Sequence, residues 1–248
     1  MKKIKLSIIL PCYNEGNKLD NSVSQIVEYL KNIKISSYEI LIVNDGSTDY
    51  TLNYIIDLKE KYPNILRVIH YKNNHGKGYA VKKGISEAIG EYIIFMDVDL
   101  STDLSAIDKC MKIINKENTP IIIGSRRLKE SELTKSQNGL RKFIGNCCSY
   151  YTNMKLNLHI KDTQCGFKCF EKTIAKKLIK KQTIERWAFD AELLFIAKLN
   201  NIEIKEIPIK WTNDEDSKVS PLKASFNFIS DLRKIKKNKK KYIQWITH

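Results

Sequence analysis

Short apolar runs alternate with amphipathic stretches through the first half of the chain. Leu6–Leu10, Tyr38–Asn44, Leu66–Tyr71, Tyr92–Met96 and Pro120–Gly124 are rich in Ile, Leu, Val and aromatic residues and read as strands. Between them, Lys18–Lys31 carries Leu19, Val23, Ile26, Val27 and Leu30 on one helical face, and Asp49–Lys61 carries Leu52, Ile55, Ile56 and Leu58 before the stop signal Pro63. Gly76–Ile89 reads as a loop entering a helix, and Asp103–Asn115 as a helix. This rhythm predicts an α/β fold with a mainly parallel central sheet covered by helices on both faces.

The second half is less regular. Helices are expected over Leu140–Leu156, Thr173–Lys180, Ala188–Leu199 and Ser220–Ile235, a short strand over Phe167–Phe170, and one half-buried strand over Glu203–Trp211. No internal repeat and no Gly/Ser linker divides the chain. The expected organisation is one domain over residues 1–231 with two functional halves, one to about 126 and one from about 127, followed by a basic tail over 232–248.

A chain of 248 residues supports one sizeable core. The apolar start, Leu6–Leu10, is too short for a signal peptide and leads into Pro11-Cys12-Tyr13-Asn14-Glu15 rather than a small-residue cleavage site, so it is expected to be the first strand of a cytosolic protein. The six cysteines lack paired C-x-x-C spacing and read as free thiols. The formal net charge of +15 points to an anionic partner: a nucleotide, a nucleic acid or an anionic membrane surface.

Chemistry gathers at the carboxyl ends of the strands, where ligands bind in open parallel sheets. The first ends in Pro11-Cys12-Tyr13-Asn14-Glu15-Gly16, the second in Asn44-Asp45-Gly46-Ser47-Thr48-Asp49, the fourth in Asp97-Val98-Asp99 and the fifth in Gly124-Ser125-Arg126-Arg127. Two aspartates one residue apart repel each other unless a cation sits between them. A divalent metal carrying a diphosphate suits such a pair. Gly76-Lys77-Gly78 offers a phosphate-facing helix start but lacks Walker spacing. Each piece has a plainer alternative as a turn, a cap or a solvated loop. RNA-binding strings are missing and three acidic strand ends would repel a phosphate backbone, so nucleic acid is not expected as a partner.

Together, PCYNEG, VNDGSTD, HGKGYAVKKG, FMDVDLST and GSRR resemble the family 2 inverting glycosyltransferases of GT-A fold. In the second half Asp162–Lys168, Glu185–Leu194, Trp211-Thr212 and Ser217-Lys218-Val219 resemble that family's dolichyl-phosphate β-glucosyltransferase branch. The resemblance implies a Rossmann-like GT-A domain and transfer of a hexose, glucose from UDP-glucose, to a polyprenyl (dolichyl-type) phosphate with inversion. It implies that Pro11, Tyr13, Asn14, Glu15 and Asp45 hold the uridine and ribose, and that Lys77 lies near the diphosphate. Asp97 and Asp99 become the metal ligands for Mg²⁺ or Mn²⁺, Asp99 the surer one. Ser101 stands where related mannosyltransferases carry a glutamine. Arg126 and Arg141 match the arginines that grip the acceptor phosphate.

An acceptor phosphate is already an anion and needs positioning rather than a strong base, which arginine's bidentate fork provides. A hydroxyl acceptor would instead need a carboxylate base, and Asp190 occupies the place where relatives keep one; a helix-start carboxylate is its plainer reading. Glu192 is expected to be solvated or paired with Arg186. The tail, with seven cations ahead of Tyr242, Ile243 and Trp245, is expected to attach the protein peripherally to the cytoplasmic face of a membrane.

Overall fold

The computed structural model describes residues 5–134, 139–213 and 221–243, without the side chains of 140–144 and 221–226. In chain order the elements are β1 (Leu6–Cys12), α1 (Gly16–Asn32), β2 (Tyr38–Asp45), α2 (Thr51–Lys61), β3 (Leu66–Tyr71), α3 (Lys77–Glu87), β4 (Tyr92–Phe95), α4 (Ser105–Glu117), β5 (Ile121–Ser125), β6 (Glu132–Leu133), α5 (Gly139–Leu156), β7 (Lys168–Glu171), α6 (Lys172–Lys181), α7 (Phe189–Leu199), β8 (Ile204–Pro208), β9 (Lys210–Trp211), α8 (Pro221–Lys237) and α9 (Lys239–Ile243).

Seven strands form the central sheet in the order β3-β2-β1-β4-β7-β5-β8. The β1, β2, β3 and β4 pairings are parallel, as is β5 with β8, whereas β7 runs antiparallel to both β4 and β5. Leu6, Ile8, Ile9, Leu10, Ile40, Leu41, Ile42 and Val43 are all fully buried, as a sheet covered on both faces requires. One core cluster lies between the sheet and α3, α6 and α7; the other lies under α1, α2 and α4. Strand order reverses between β1 and β4, which puts the Tyr13 loop and the Asp97-Val98-Asp99 turn at the switch point of the sheet.

Two expectations change. Glu203–Trp211 is two strands rather than one. Pro208 closes β8 at the sheet edge, and Ile209 crosses over: its carbonyl accepts from Glu132 N at 3.0 Å, and β9 pairs with β6 in a small second sheet. The stretch expected as a tail is helical through Ile243, and Leu232, Ile235 and Tyr242 are at most 1% exposed. Its charges lie on the outer face of helices whose inner face belongs to the core. Trp245 and Ser217-Lys218-Val219 lie outside the described residues.

Candidate active site

The Asp97-Val98-Asp99 turn is anchored by its middle residue. Val98 is buried, and its carbonyl accepts from Ser22 Oγ on α1. Asp97 and Asp99, on either side of it, are partly exposed. Leu100 N–H donates to Asp97 O at 3.2 Å, with Leu100 in the left-handed region at φ 51°, a conformation costing a bulky residue about 1 kcal/mol or more. Asp99 Oδ1 accepts from Ser101 N at 2.8 Å. Asp97 is paired with the ammonium of Lys77 at the start of α3.

Lys77 is held by its neighbours rather than by its own length. Gly76 sits at φ 110°, and a Cβ there would lie 2.8 Å from Arg186 Cγ, so only glycine fits where the loop crosses residues 185–186. Tyr79 N donates to Glu185 O at 2.9 Å, and Gln182 Nε2 to Gly78 O at 2.9 Å. Burial pulls the Lys77 ammonium down, but Asp97 and Asp190 outweigh it and hold its pKa above the usual lysine value.

Asp190 lies in the first turn of α7 and is buried, with Lys168 Nζ 2.6 Å from its Oδ1. Burial raises its carboxyl pKa, opposed by Lys168 and Lys77. Lys168 is fully buried in β7; its Nζ also donates to Cys165 O at 2.6 Å and lies 5.4 Å from the centre of the Phe95 ring. The sequence does flag it: Cys165-Gly166-Phe167-Lys168-Cys169-Phe170 places one lysine inside an apolar run, where a buried charge requires a partner.

The loops after β1 and β2 are stitched together. Asn14, at φ 56°, donates from its N–H to Ser47 Oγ at 2.9 Å, and its Oδ1 accepts from Thr48 N at 2.8 Å. Gly16 N donates to Thr51 Oγ1 at 2.9 Å. Pro11, next to last in β1, pairs with Val43, Tyr13 is exposed, and Glu15 precedes α1. Asp45 is turned inward: Oδ2 accepts from Asn74 Nδ2 at 2.9 Å and Gly76 N at 2.8 Å, and Oδ1 from His75 N at 2.9 Å. It therefore fixes the loop that delivers Lys77.

Arg126, at the tip of β5, forms a fork on the buried Asp162: Nε to Oδ2 at 2.6 Å and an Nη to Oδ1 at 2.8 Å. Its guanidinium lies 5.5 Å from the centre of the Trp211 ring. Two of its five N–H groups are used by that fork, leaving the others for a further anion. Arg141 lies on α5, with its side chain outside the described residues.

Glu192 is buried rather than solvated. It accepts from Thr183 N, Thr183 Oγ1, Ile184 N and, at 2.6 Å, Tyr242 Oη. Through it α9 supports the 183–186 loop on which Gly76 rests.

Among the described residues no three His, Cys, Asp or Glu side chains cluster as a closed metal cage. Asp97 and Asp99 nonetheless fit a Mg²⁺- or Mn²⁺-type ion, because such ions take one or two carboxylates and complete their shell with phosphate oxygens and water. A cation, the Lys77 ammonium, already seats on Asp97.

The acidic tips at the switch point and the arginine beyond them lie at the edge where open α/β sheets bind their ligands. The glycosyl transferase family 2 model matches residues 7–179, and the chain belongs to that family. A dolichyl-phosphate beta-glucosyltransferase of Dictyostelium discoideum is 36% identical over 243 residues, covering 94% of this chain and 74% of its own. The Homo sapiens dolichyl-phosphate beta-glucosyltransferase is 33% identical over 238 residues, covering 92% and 74%. Among solved structures, mannosyl-3-phosphoglycerate synthase from Rubrobacter xylanophilus matches with TM-score 0.69 at 12% identity, covering 99% of this chain and 77% of that one. Glucosyl-3-phosphoglycerate synthase from Mycobacterium tuberculosis, crystallised with Mn²⁺, uridine diphosphate and glucosyl-3-phosphoglycerate, matches with TM-score 0.66 at 14% identity, covering 94% and 80%.

Proposed function

We propose that this glycosyltransferase moves glucose from UDP-glucose to a polyprenyl (dolichyl-type) phosphate with inversion. The observation that carries this reading is the pairing of an acidic, Lys77-flanked tip on β4 with an arginine tip on β5. The relatives' names supply the sugar and the acceptor class.

On this reading Pro11, Tyr13, Asn14 and Glu15 line the nucleoside, and Asp45 acts by fixing the 74–76 loop. Asp97 and Asp99 would hold Mg²⁺ or Mn²⁺. A divalent ion held there would supply positive charge against the charge growing on the departing diphosphate. Lys77 adds a second positive charge at the same end. Arg126, pre-oriented by Asp162, and Arg141 bind the acceptor phosphate, whose oxygen attacks the anomeric carbon. That nucleophile is already ionised, and Asp190, paired with Lys168, is not needed as its base.

The test is transfer from radiolabelled UDP-glucose to polyprenyl phosphate with Mg²⁺ or Mn²⁺. The expected product is a lipid-linked, acid-labile monoglucosyl phosphate. Transfer only to glycan hydroxyls, or a preference for GDP-sugars, overturns the reading.

A lipid acceptor places the enzyme at a membrane, and we assign peripheral contact with its cytoplasmic face to the basic helices. No helix among the described residues is long and apolar enough to cross a bilayer. Lys236, Lys239 and Lys240 are exposed, and Lys234, Lys237, Lys241 and Arg186 line a cleft of about 590 Å³. Each lysine near an anionic leaflet contributes about 1 kcal/mol. Deleting the segment would also remove buried Leu232, Ile235 and Tyr242. Flotation with anionic liposomes should therefore compare the intact chain with a K236Q/K239Q/K240Q variant; equal binding by both removes the assignment.

A further inference from the structure

We propose that Lys168 is a positioning residue for donor binding: its buried ammonium supports the Lys77–Asp97 pair from both sides. This rests on the reading of Asp97, Asp99 and Lys77 as the diphosphate end of the site.

The argument starts from an oddity of burial. Lys168 is fully buried between β4 and β5, in register with Phe95 on one side and Ile123 on the other. A lysine there costs several kcal/mol in desolvation unless its charge is matched. An apolar residue would fill the position with less risk, so the ammonium is retained for what it holds.

It holds two things. One is Asp190, 2.6 Å away. Asp190 follows Phe189, and a Cβ placed on Gly78 would lie 2.7 Å from Phe189 Cβ, so the backbone next to Lys77 rests on the residue beside Asp190. The residue before Gly78, Lys77, carries the ammonium that pairs with Asp97. The other is Cys165 O, 2.6 Å away. That carbonyl belongs to the turn whose next residue, Gly166, backs directly onto the Asp97 carboxylate. One buried cation thus fixes the helix start against which the Gly78 backbone packs and the turn that backs Asp97. The ion pairs Lys168–Asp190 and Lys77–Asp97 are joined through these two backbone contacts. The donor's diphosphate then meets a cation and a carboxylate whose positions are set from within the core.

The experiment measures UDP affinity in the presence of Mn²⁺ by calorimetry, without turnover. The isosteric neutral pair K168M/D190N removes both charges and leaves no buried ion unpaired. It should weaken UDP binding about tenfold, the loss of one charge-assisted contact, while its melting temperature stays near that of the wild type. K77M should weaken binding on its own, and combining it with K168M/D190N should add less than the sum, because the pair acts largely through Lys77. Wild-type affinity in K168M/D190N, or full additivity with K77M, overturns the proposal. If K168M/D190N fails to fold, the neutral hydrogen-bonding pair K168Q/D190N replaces it in the same cycle. A raised donor KM with kcat kept in the neutral pair supports positioning; an unchanged KM with a collapsed kcat marks Asp190 as a base and overturns it. If the wild-type protein binds no UDP with Mn²⁺, the underlying reading of the site fails instead.

Discussion

Gly166 leaves no room for a methyl group against Asp97: a Cβ built on it would lie 2.0 Å from Asp97 Oδ2 and 2.7 Å from Cγ. The obstructing atoms are the end of a short side chain, which can swing away. Gly166→Ala should therefore keep the fold and displace the carboxylate. The expected result is a melting temperature within a few degrees of the wild type and at least a tenfold loss of UDP affinity with Mn²⁺. Unchanged affinity would show that Asp97 does not serve the donor.

Asp99→Ala should abolish glucose transfer while leaving circular dichroism and thermal unfolding near those of the wild type, because Asp99 is partly exposed and its carboxylate accepts from the neighbouring Ser101 amide. Substantial metal-dependent transfer by this variant would contradict its assignment as a ligand.

The Arg126–Asp162 fork predicts a stability effect beside the acceptor effect. Burial pushes the Asp162 carboxyl pKa up, but the Arg126 guanidinium outweighs it and holds it below the usual aspartate range. As pH falls, the unfolded chain therefore binds the proton first. The pair's contribution is complete above the unfolded-state value and is lost as pH drops through the lower folded value. Urea unfolding from pH 6 down to 2 should show that acid limb in the wild type and a flatter one in Asp162→Asn. Removing one partner of such a buried pair should cost about 3–5 kcal/mol near neutral pH. An equal acid limb in both proteins would show that Asp162 is not the titrating group.

Tyr242→Phe tests the link between the last helix and the body. It removes the 2.6 Å bond to Glu192 Oε1, though Glu192 keeps its Thr183 and Ile184 donors. The expected loss is about 1 kcal/mol, measured by urea unfolding. A loss above about 3 kcal/mol would mean that α9 detaches altogether.

The alternating first half was legible because each strand is a compact apolar run and each helix has one apolar face. The predicted strand and helix positions there coincide with β1 to β5 and α1 to α4 to within a few residues. The direction of β7 was not legible. Its strand propensity carries no sign, and its antiparallel course follows from where the chain re-enters after the Asp162 turn. Glu203–Trp211 kept its alternation across Ile209, so period alone could not reveal the change of sheet. Asp97, Asp99, Arg126 and Asp190 were legible as types of chemistry, and their partners were not. Asp45 binding the 74–76 loop, Asp162 orienting Arg126 and Lys168 backing Asp190 are contacts between segments far apart in sequence. The terminal lysines read as a basic tail separate from the domain because their number drowned the inward-facing signal of Leu232, Ile235 and Tyr242.

The reversed strand β7 also sets a scale. It stands between β4, which carries the aspartates, and β5, which carries Arg126, and each step across a sheet is about 4.8 Å. Without it the two tips would be neighbours; with it they are about 10 Å apart. In an inverting displacement the leaving and the attacking oxygen sit on opposite sides of one anomeric carbon, so the two phosphates have to be held apart along a single line. On the proposed chemistry, the interloping strand is the spacer that keeps the departing end and the arriving end on opposite sides of that carbon.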